Sequence, residues 1–219
     1  MSTQKTLAPD LLFGIQMLGT LLFVVAQTQR MMHTVQGISP AWLLCSCAFS
    51  GINLSLSYRG WIQTRARTTF QLLVTHASWT LGLLLLLILL FTHTNEIELN
   101  WDDPVTLLLV ASAGVIVYIV ADYYEVSLLH PIARGVLAAV LRTITHVALA
   151  YKIHLHGGAG MTAVALGSGH VTTCIRIGQL GFTVRAAGWD HSRYGLAIAE
   201  TSSELTWIFV TVVWLMGSR

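Results

Sequence analysis

Residues 81–90 read LGLLLLLILL, and this run decides the fold class. With its flanks it extends from Phe70 to Thr92 without a single Asp, Glu, Lys or Arg. About 20 mostly apolar residues are enough for a helix to cross a bilayer. The stretch therefore predicts a membrane-spanning helix.

The rest of the chain has the same character, since 54% of its 219 residues are hydrophobic and only 10% are charged. Soluble domains carry roughly 25% charged residues. Hydropathy and proline positions predict seven transmembrane helices, and we expect an all-α integral membrane protein whose first partner is the lipid bilayer. The predicted helices are Asp10–Gln29, Ile38–Tyr58, Phe70–Thr92, Pro104–Ala121, Pro131–Tyr151, Met161–Phe182 and Ala197–Gly217.

Charge and cysteine content exclude several functions. The net charge is +2 without a run of five like charges, so no nucleic-acid partner is expected. Cys45, Cys47 and Cys174 all lie in apolar stretches, which disfavours a disulfide or a zinc site. No nucleotide-binding, protease or retinal-binding pattern is present, and we expect neither an enzyme nor a bound cofactor.

Basic residues indicate the orientation in the membrane. Seven of them fall at one predicted end of the helices, and Arg30, Lys152 and Arg219 fall at the other, together with an acidic loop. By the positive-inside rule we expect a cytoplasmic amino terminus, in a bacterial inner membrane rather than an organellar one. The seven are Lys5, Arg59, Arg65, Arg67, Arg134, Arg185 and Arg193.

Two loops of the chain resemble each other. Residues 29–39, QRMMHTVQGIS, and residues 151–162, YKIHLHGGAGMT, both run from a basic residue to a glycine, an apolar residue and a hydroxyl. Sixteen residues after Gly37 comes Asn53, and sixteen after Gly160 comes Arg176. The pattern predicts a first three-helix repeat over 1–95, a linker helix over 96–127 and a second, parallel three-helix repeat over 128–219.

These loops resemble those of the PQ-loop superfamily, which includes the SWEET sugar facilitators, lysosomal amino-acid exporters and the KDEL receptor. In that family a Pro-Gln pair precedes a basic turn and a Gly-apolar-Ser triplet. Here the motif residues are Gln27, Gly37, Ser39 and Gly160; the first pair is Ala26-Gln27, and the second copy has lost it. The resemblance implies either transport by alternating access or ligand binding by a receptor that does not transport.

Ionisable groups inside spans are costly and therefore indicate function. We predict a polar cavity between the repeats in which Arg176 or Arg142 binds an anionic group and Glu204 and His76 form a proton-coupled pair. The alternative is an Arg–Glu pair that only fixes helix packing. The predicted binding residues are Asn53, Arg176, His76, Glu204, Trp79, Trp207, Arg142 and His146.

The function favoured by these patterns is transport of a small polar solute, either facilitated or proton-coupled. A receptor of the PQ-loop type, binding its ligand in the cavity without moving it, is the first alternative. A membrane haem protein is the second, with His76 facing His146 or His170 across the iron. Assembly into a homo-oligomer is left open.

Overall fold

Seven α-helices make up the computed structural model, which describes residues 4–35, 38–65, 67–92 and 101–217. The predicted all-helical class is therefore found, and no strand occurs in these ranges. The helices are α1 (Gln4–Met31), α2 (Pro40–Thr64), α3 (Arg67–Thr92), α4 (Asp102–Tyr123), α5 (Pro131–His156), α6 (Ala163–Ala187) and α7 (His191–Gly217).

Helix starts follow local chemistry. The Ser39 hydroxyl accepts a hydrogen bond from the Trp42 amide, with Pro40 in the first turn of α2. Thr162 caps α6 in the same way through the Ala165 amide. Helix α7 begins at His191, six residues before the predicted start, because its first turns are too polar for a hydropathy pattern to detect.

Five helices contain a segment long and apolar enough to cross a membrane, and α2 has a shorter apolar segment, Pro40–Gly51. These segments indicate a multi-pass membrane protein. Helix α6 is not among them in the described part of the chain; it carries Arg176, whose charge is paired inside the protein. The five are Asp10–Met31, Leu73–Thr92, Asp102–Tyr123, Pro131–His156 and Tyr194–Gly217.

The helices pack in two groups of three. Helix α3 contacts both α1 and α2, and α7 contacts both α5 and α6. Between the groups, α1 packs against α6 and α2 packs against α5. Helix α4 lies outside, against α5 and α2. The backbones of α5 and α7 approach closely at Gly135 and Gly195, since a Cβ on either glycine would overlap the facing main chain.

Large apolar side chains occupy both the interior and the outer surface. The core contains Phe23, Trp42, Leu86, Leu149 and Trp207, all at most 5% exposed. Helix α4 buries only three described residues and presents leucine, isoleucine and valine outward. Such a surface suits lipid, and polar groups are left to the space between the helix groups.

Candidate functional site

A cavity with a volume of about 80 Å³ lies between the two helix groups. Its walls come from α1, α2, α3, α5, α6 and α7, and no described residue of α4 lines it. Both charged and aromatic side chains line this space. The aromatic residues lining it are Phe23, Trp42, Phe49, Trp79 and Trp207.

Helical spacing brings the polar residues to this cavity. Residues three or four positions apart share one face of a helix, and the lining residues of α5, α6 and α7 follow that spacing. From α5 come Arg142 and His146; from α6 Gly169, Thr172, Thr173 and Arg176; from α7 Ala199, Glu200, Ser203 and Trp207.

Arg176 is held by an ion pair inside the cavity. Its Nε donates to the Glu200 carboxylate, with 2.8 Å from Nε to Oε2, and its Nη2 donates to the Thr173 hydroxyl at 3.1 Å. Both charged side chains are less than a fifth exposed. Because the guanidinium and the carboxylate neutralise each other, this pair contributes no net charge to the cavity.

Arg142 has a different environment. Its Cζ lies 5.0 Å from the centre of the Phe49 ring, within range of a cation–π interaction. Its Nε is buried and has no hydrogen-bond partner, and no carboxylate among the described residues pairs with it. Arg142 therefore leaves one positive charge in the cavity wall without a counter-charge from the protein.

Aromatic rings close the cavity on one side. Trp42 and Trp207 stack with 6.2 Å between centroids and 15° between planes. The Trp207 indole donates to the Leu166 carbonyl oxygen at 3.1 Å and lies against Gly169, where a Cβ would overlap the ring. Trp79 packs against Phe23 at 5.0 Å.

The histidines take three different positions. His76 lines the cavity, and its imidazole has no hydrogen-bond partner among the described residues. His146 is buried, with 2.7 Å from Nδ1 to the Thr206 hydroxyl and its ring 5.2 Å from that of Trp207. His170 uses both ring nitrogens, on Glu204 and Thr211, and so has none free for a haem iron.

Glu204 is not brought to His76. Its carboxylate lies 2.5 Å from Nδ1 of His170, and neither residue lines the cavity. Of the eight predicted binding residues, six do line it: Arg176, His76, Trp79, Trp207, Arg142 and His146. The side chain of Asn53 lies outside the part of the chain that the structure describes.

Three of the four motif residues, Gln27, Ser39 and Gly160, lie at one end of the molecule. Gln27 donates to the Gly160 carbonyl oxygen at 2.5 Å, and Arg30 donates to that of Ala159. Ser39 caps α2, and Gly37 lies outside the described residues. We call this end, where α1, α3 and α5 finish, the Lys152 end.

An ion cluster at the Lys152 end was not predicted from the sequence. Lys152 is 1% exposed, and its Nζ lies 2.5 Å from Oδ2 of Asp103, which is also buried. The other oxygen of Asp103 accepts from the Ser39 hydroxyl at 2.9 Å and from the Ala41 amide at 3.2 Å. The distribution of charges along the sequence assigns Lys152 and Asp103 to the same end of the molecule. That is the one sequence signal for this ion pair.

No protein-family model, no curated protein and no solved structure matches this chain.

Proposed function

We propose that the chain is a membrane transporter that moves a small polar solute by alternating access between its two three-helix groups. The observation that carries this proposal is the cavity itself, which contains charged side chains and lies between the groups rather than within one of them. A binding site at the interface of two bundles becomes accessible to either side when one bundle rocks against the other.

The packing of the helices supports a parallel repeat of three helices, a linker and three helices, as in the PQ-loop superfamily. The third helix of each group lies between the first two, and the contacts of α1 with α6 correspond to those of α5 with α2. Ser39 and Thr162 cap equivalent helices, and each follows a buried apolar residue, Ile38 or Met161.

Contacts at the Lys152 end support a state in which the cavity is closed toward that end. Moving from the ion pair of Arg176 toward this end, a solute meets the Trp42–Trp207 stack first. Beyond it lie the contact of Gln27 with Gly160 and the buried ion cluster of Lys152. In this proposal those contacts break when the cavity opens to the Lys152 end.

Osmotic measurements test transport by offering one solute of each charge class. Proteoliposomes with valinomycin are mixed with concentrated glucose, serine, lysine thiocyanate or potassium isethionate, which represent neutral, zwitterionic, cationic and anionic solutes. Thiocyanate crosses lipid with lysine, and valinomycin carries K⁺ with isethionate, so that either salt can accumulate without net charge. Light scattering then follows shrinkage and recovery. We expect at least one solute class to restore the volume faster than in protein-free vesicles.

Two tryptophan variants serve as controls, one that fills the cavity and one that leaves it open. Ser203→Trp places an indole in the cavity and should abolish recovery, whereas Ala111→Trp adds the same group on the outer face of α4 and should not. If no solute restores the volume although one of them stabilises the protein against heat, the receptor alternative replaces transport.

We also propose the orientation with a cytoplasmic amino terminus in a bacterial inner membrane, on the distribution of Lys and Arg. Reporter fusions test it: alkaline phosphatase should be active at the carboxyl terminus and inactive at the amino terminus, and the reverse pattern contradicts it.

A further inference from the structure

The charges of the cavity wall do not balance. Arg142 and Arg176 contribute two guanidinium groups and Glu200 one carboxylate, which leaves one positive charge when His76 and His146 are neutral. Since Arg176 and Glu200 neutralise each other at 2.8 Å, the excess charge belongs to Arg142.

An unpaired cation away from bulk water is costly, and proteins normally pair it. The Phe49 ring covers the guanidinium of Arg142 at 5.0 Å, but it supplies no hydrogen-bond acceptor, and the buried Nε stays without one. A bound anion would provide both the charge and the acceptor atoms. A carboxylate suits this group best, because its two oxygens match the fork of a guanidinium.

The remaining walls indicate the rest of the ligand. Beside Arg142 the cavity presents Phe49, Trp79 and the Trp42–Trp207 stack, which favour an apolar and preferably flat body. The open space, about 80 Å³, favours a small ligand.

We propose that Arg142 is the anchor of the solute site and that the solute is a small organic monocarboxylate with an apolar body. This inference rests on the proposed function, because it takes the bound ligand to be the transported solute. The binding itself can be measured without transport. A single negative charge matches the single uncompensated guanidinium, whereas a dianion leaves one charge unmatched.

Matched ligands that differ only in charge test the inference. The purified full-length protein in lipid nanodiscs is heated with benzoate, benzamide or benzylamine, and with isobutyrate or isobutyramide. We expect each carboxylate at 10 mM to raise Tm by at least about 2 °C and its amide to have less than half that effect. The amine should have no effect.

Variants of arginines on the same helix assign the site. Arg142→Gln should raise the half-saturating benzoate concentration at least about tenfold, the loss expected for a charged hydrogen bond. Arg142→Lys keeps the charge without the fork and should lose less, and it replaces Arg142→Gln if that variant does not fold. Arg134→Gln, which removes an arginine of α5 outside the cavity, should bind as wild type does.

The inference is overturned if the amides or the amine stabilise the protein as much as the carboxylates. It is equally overturned if no carboxylate stabilises it, or if Arg142→Gln keeps wild-type affinity. If a neutral solute is transported and Arg142→Gln does not change its rate, the protein is a transporter but its solute is not a carboxylate held by Arg142. Carboxylate binding by a protein whose cavity is open to an impermeant thiol reagent from one face alone would leave the carboxylate site standing and remove the transporter.

Discussion

The amide of Gln27 donates a hydrogen bond to the backbone oxygen of Gly160, with 2.5 Å between Nε2 and the oxygen. Gln27 is fully buried near the end of α1, and Gly160 lies in the loop between α5 and α6. The bond therefore joins the two helix groups directly at the Lys152 end. Both residues are among the four motif residues named from the sequence.

Replacing this amide by an apolar side chain of similar size should destabilise the closed state. Gln27→Met removes the donor and leaves the Gly160 oxygen unsatisfied, which costs about 1–3 kcal/mol. We expect a lower Tm in detergent. Gln29→Met makes the same change two residues later, on the exposed side of α1, and should keep the wild-type Tm. Equal Tm values for the two variants would contradict the role of the contact.

The buried ion cluster should show strong coupling. Lys152→Met leaves Asp103 buried without its cation, at a cost of about 3–5 kcal/mol. Asp103→Asn should cost less, because the Asp102 carboxylate, 4.0 Å from Nζ, still faces Lys152. The double variant should be less destabilised than the sum of the two, since it removes both members of the pair and leaves neither facing an uncharged partner. Denaturant unfolding of all four proteins measures the coupling free energy. Strict additivity would show that the pair is not a unit.

A methyl group on Gly169 should disturb the aromatic wall. Its Cβ would overlap the Trp207 indole, which must move and so weaken its stack on Trp42 and its bond to Leu166. We expect Gly169→Ala to cost about 1–3 kcal/mol and to impair solute binding. Gly167→Ala is the control. It lies two residues earlier on α6, and a Cβ there would contact no other atom within 4 Å. Similar losses for both would point to helix flexibility instead.

Removing the carboxylate of Glu200 should change the charge preference of the cavity. Glu200→Gln removes the counter-charge of Arg176, so two uncompensated guanidinium groups line the cavity instead of one. We expect a lower Tm without ligand but a larger thermal shift with malonate than in wild type. Glu204→Gln removes a carboxylate one turn along, outside the cavity, and should leave the malonate response unchanged. A gain in Glu204→Gln alone would mean that the wrong carboxylate has been assigned.

Much of the fold was predictable because a bilayer imposes simple rules on sequence. Apolar length located the five helices that are long and apolar enough to cross a membrane, and Pro104 and Pro131 lie in the first turns of their helices. The i, i+4 spacing of Arg142 and His146 put both on the cavity face.

Other features depend on how helices are rotated against each other, which spacing does not determine. Glu200 and Glu204 are one turn apart, yet that turn is enough to send Glu200 to Arg176 and Glu204 to His170. The predicted fifth helix ends at Tyr151, so Lys152 is expected in a loop. Its ion pair with Asp103 of α4 allows it to be buried instead. The local sequence predicts neither which residues pair with Glu200 and Glu204 nor which residue pairs with Lys152.

Two-sided access to the cavity is the most direct test of alternating access. Ser203, buried and lining the cavity, is replaced by cysteine in a chain whose Cys45, Cys47 and Cys174 are serines. Oriented vesicles are then treated from either face with a membrane-impermeant sulfonate thiol reagent. Ala111→Cys, on the outer face of α4, reports reagent that enters the lipid. The account predicts labelling of Ser203→Cys from both faces, and labelling from one face alone, with or without solute, would contradict it.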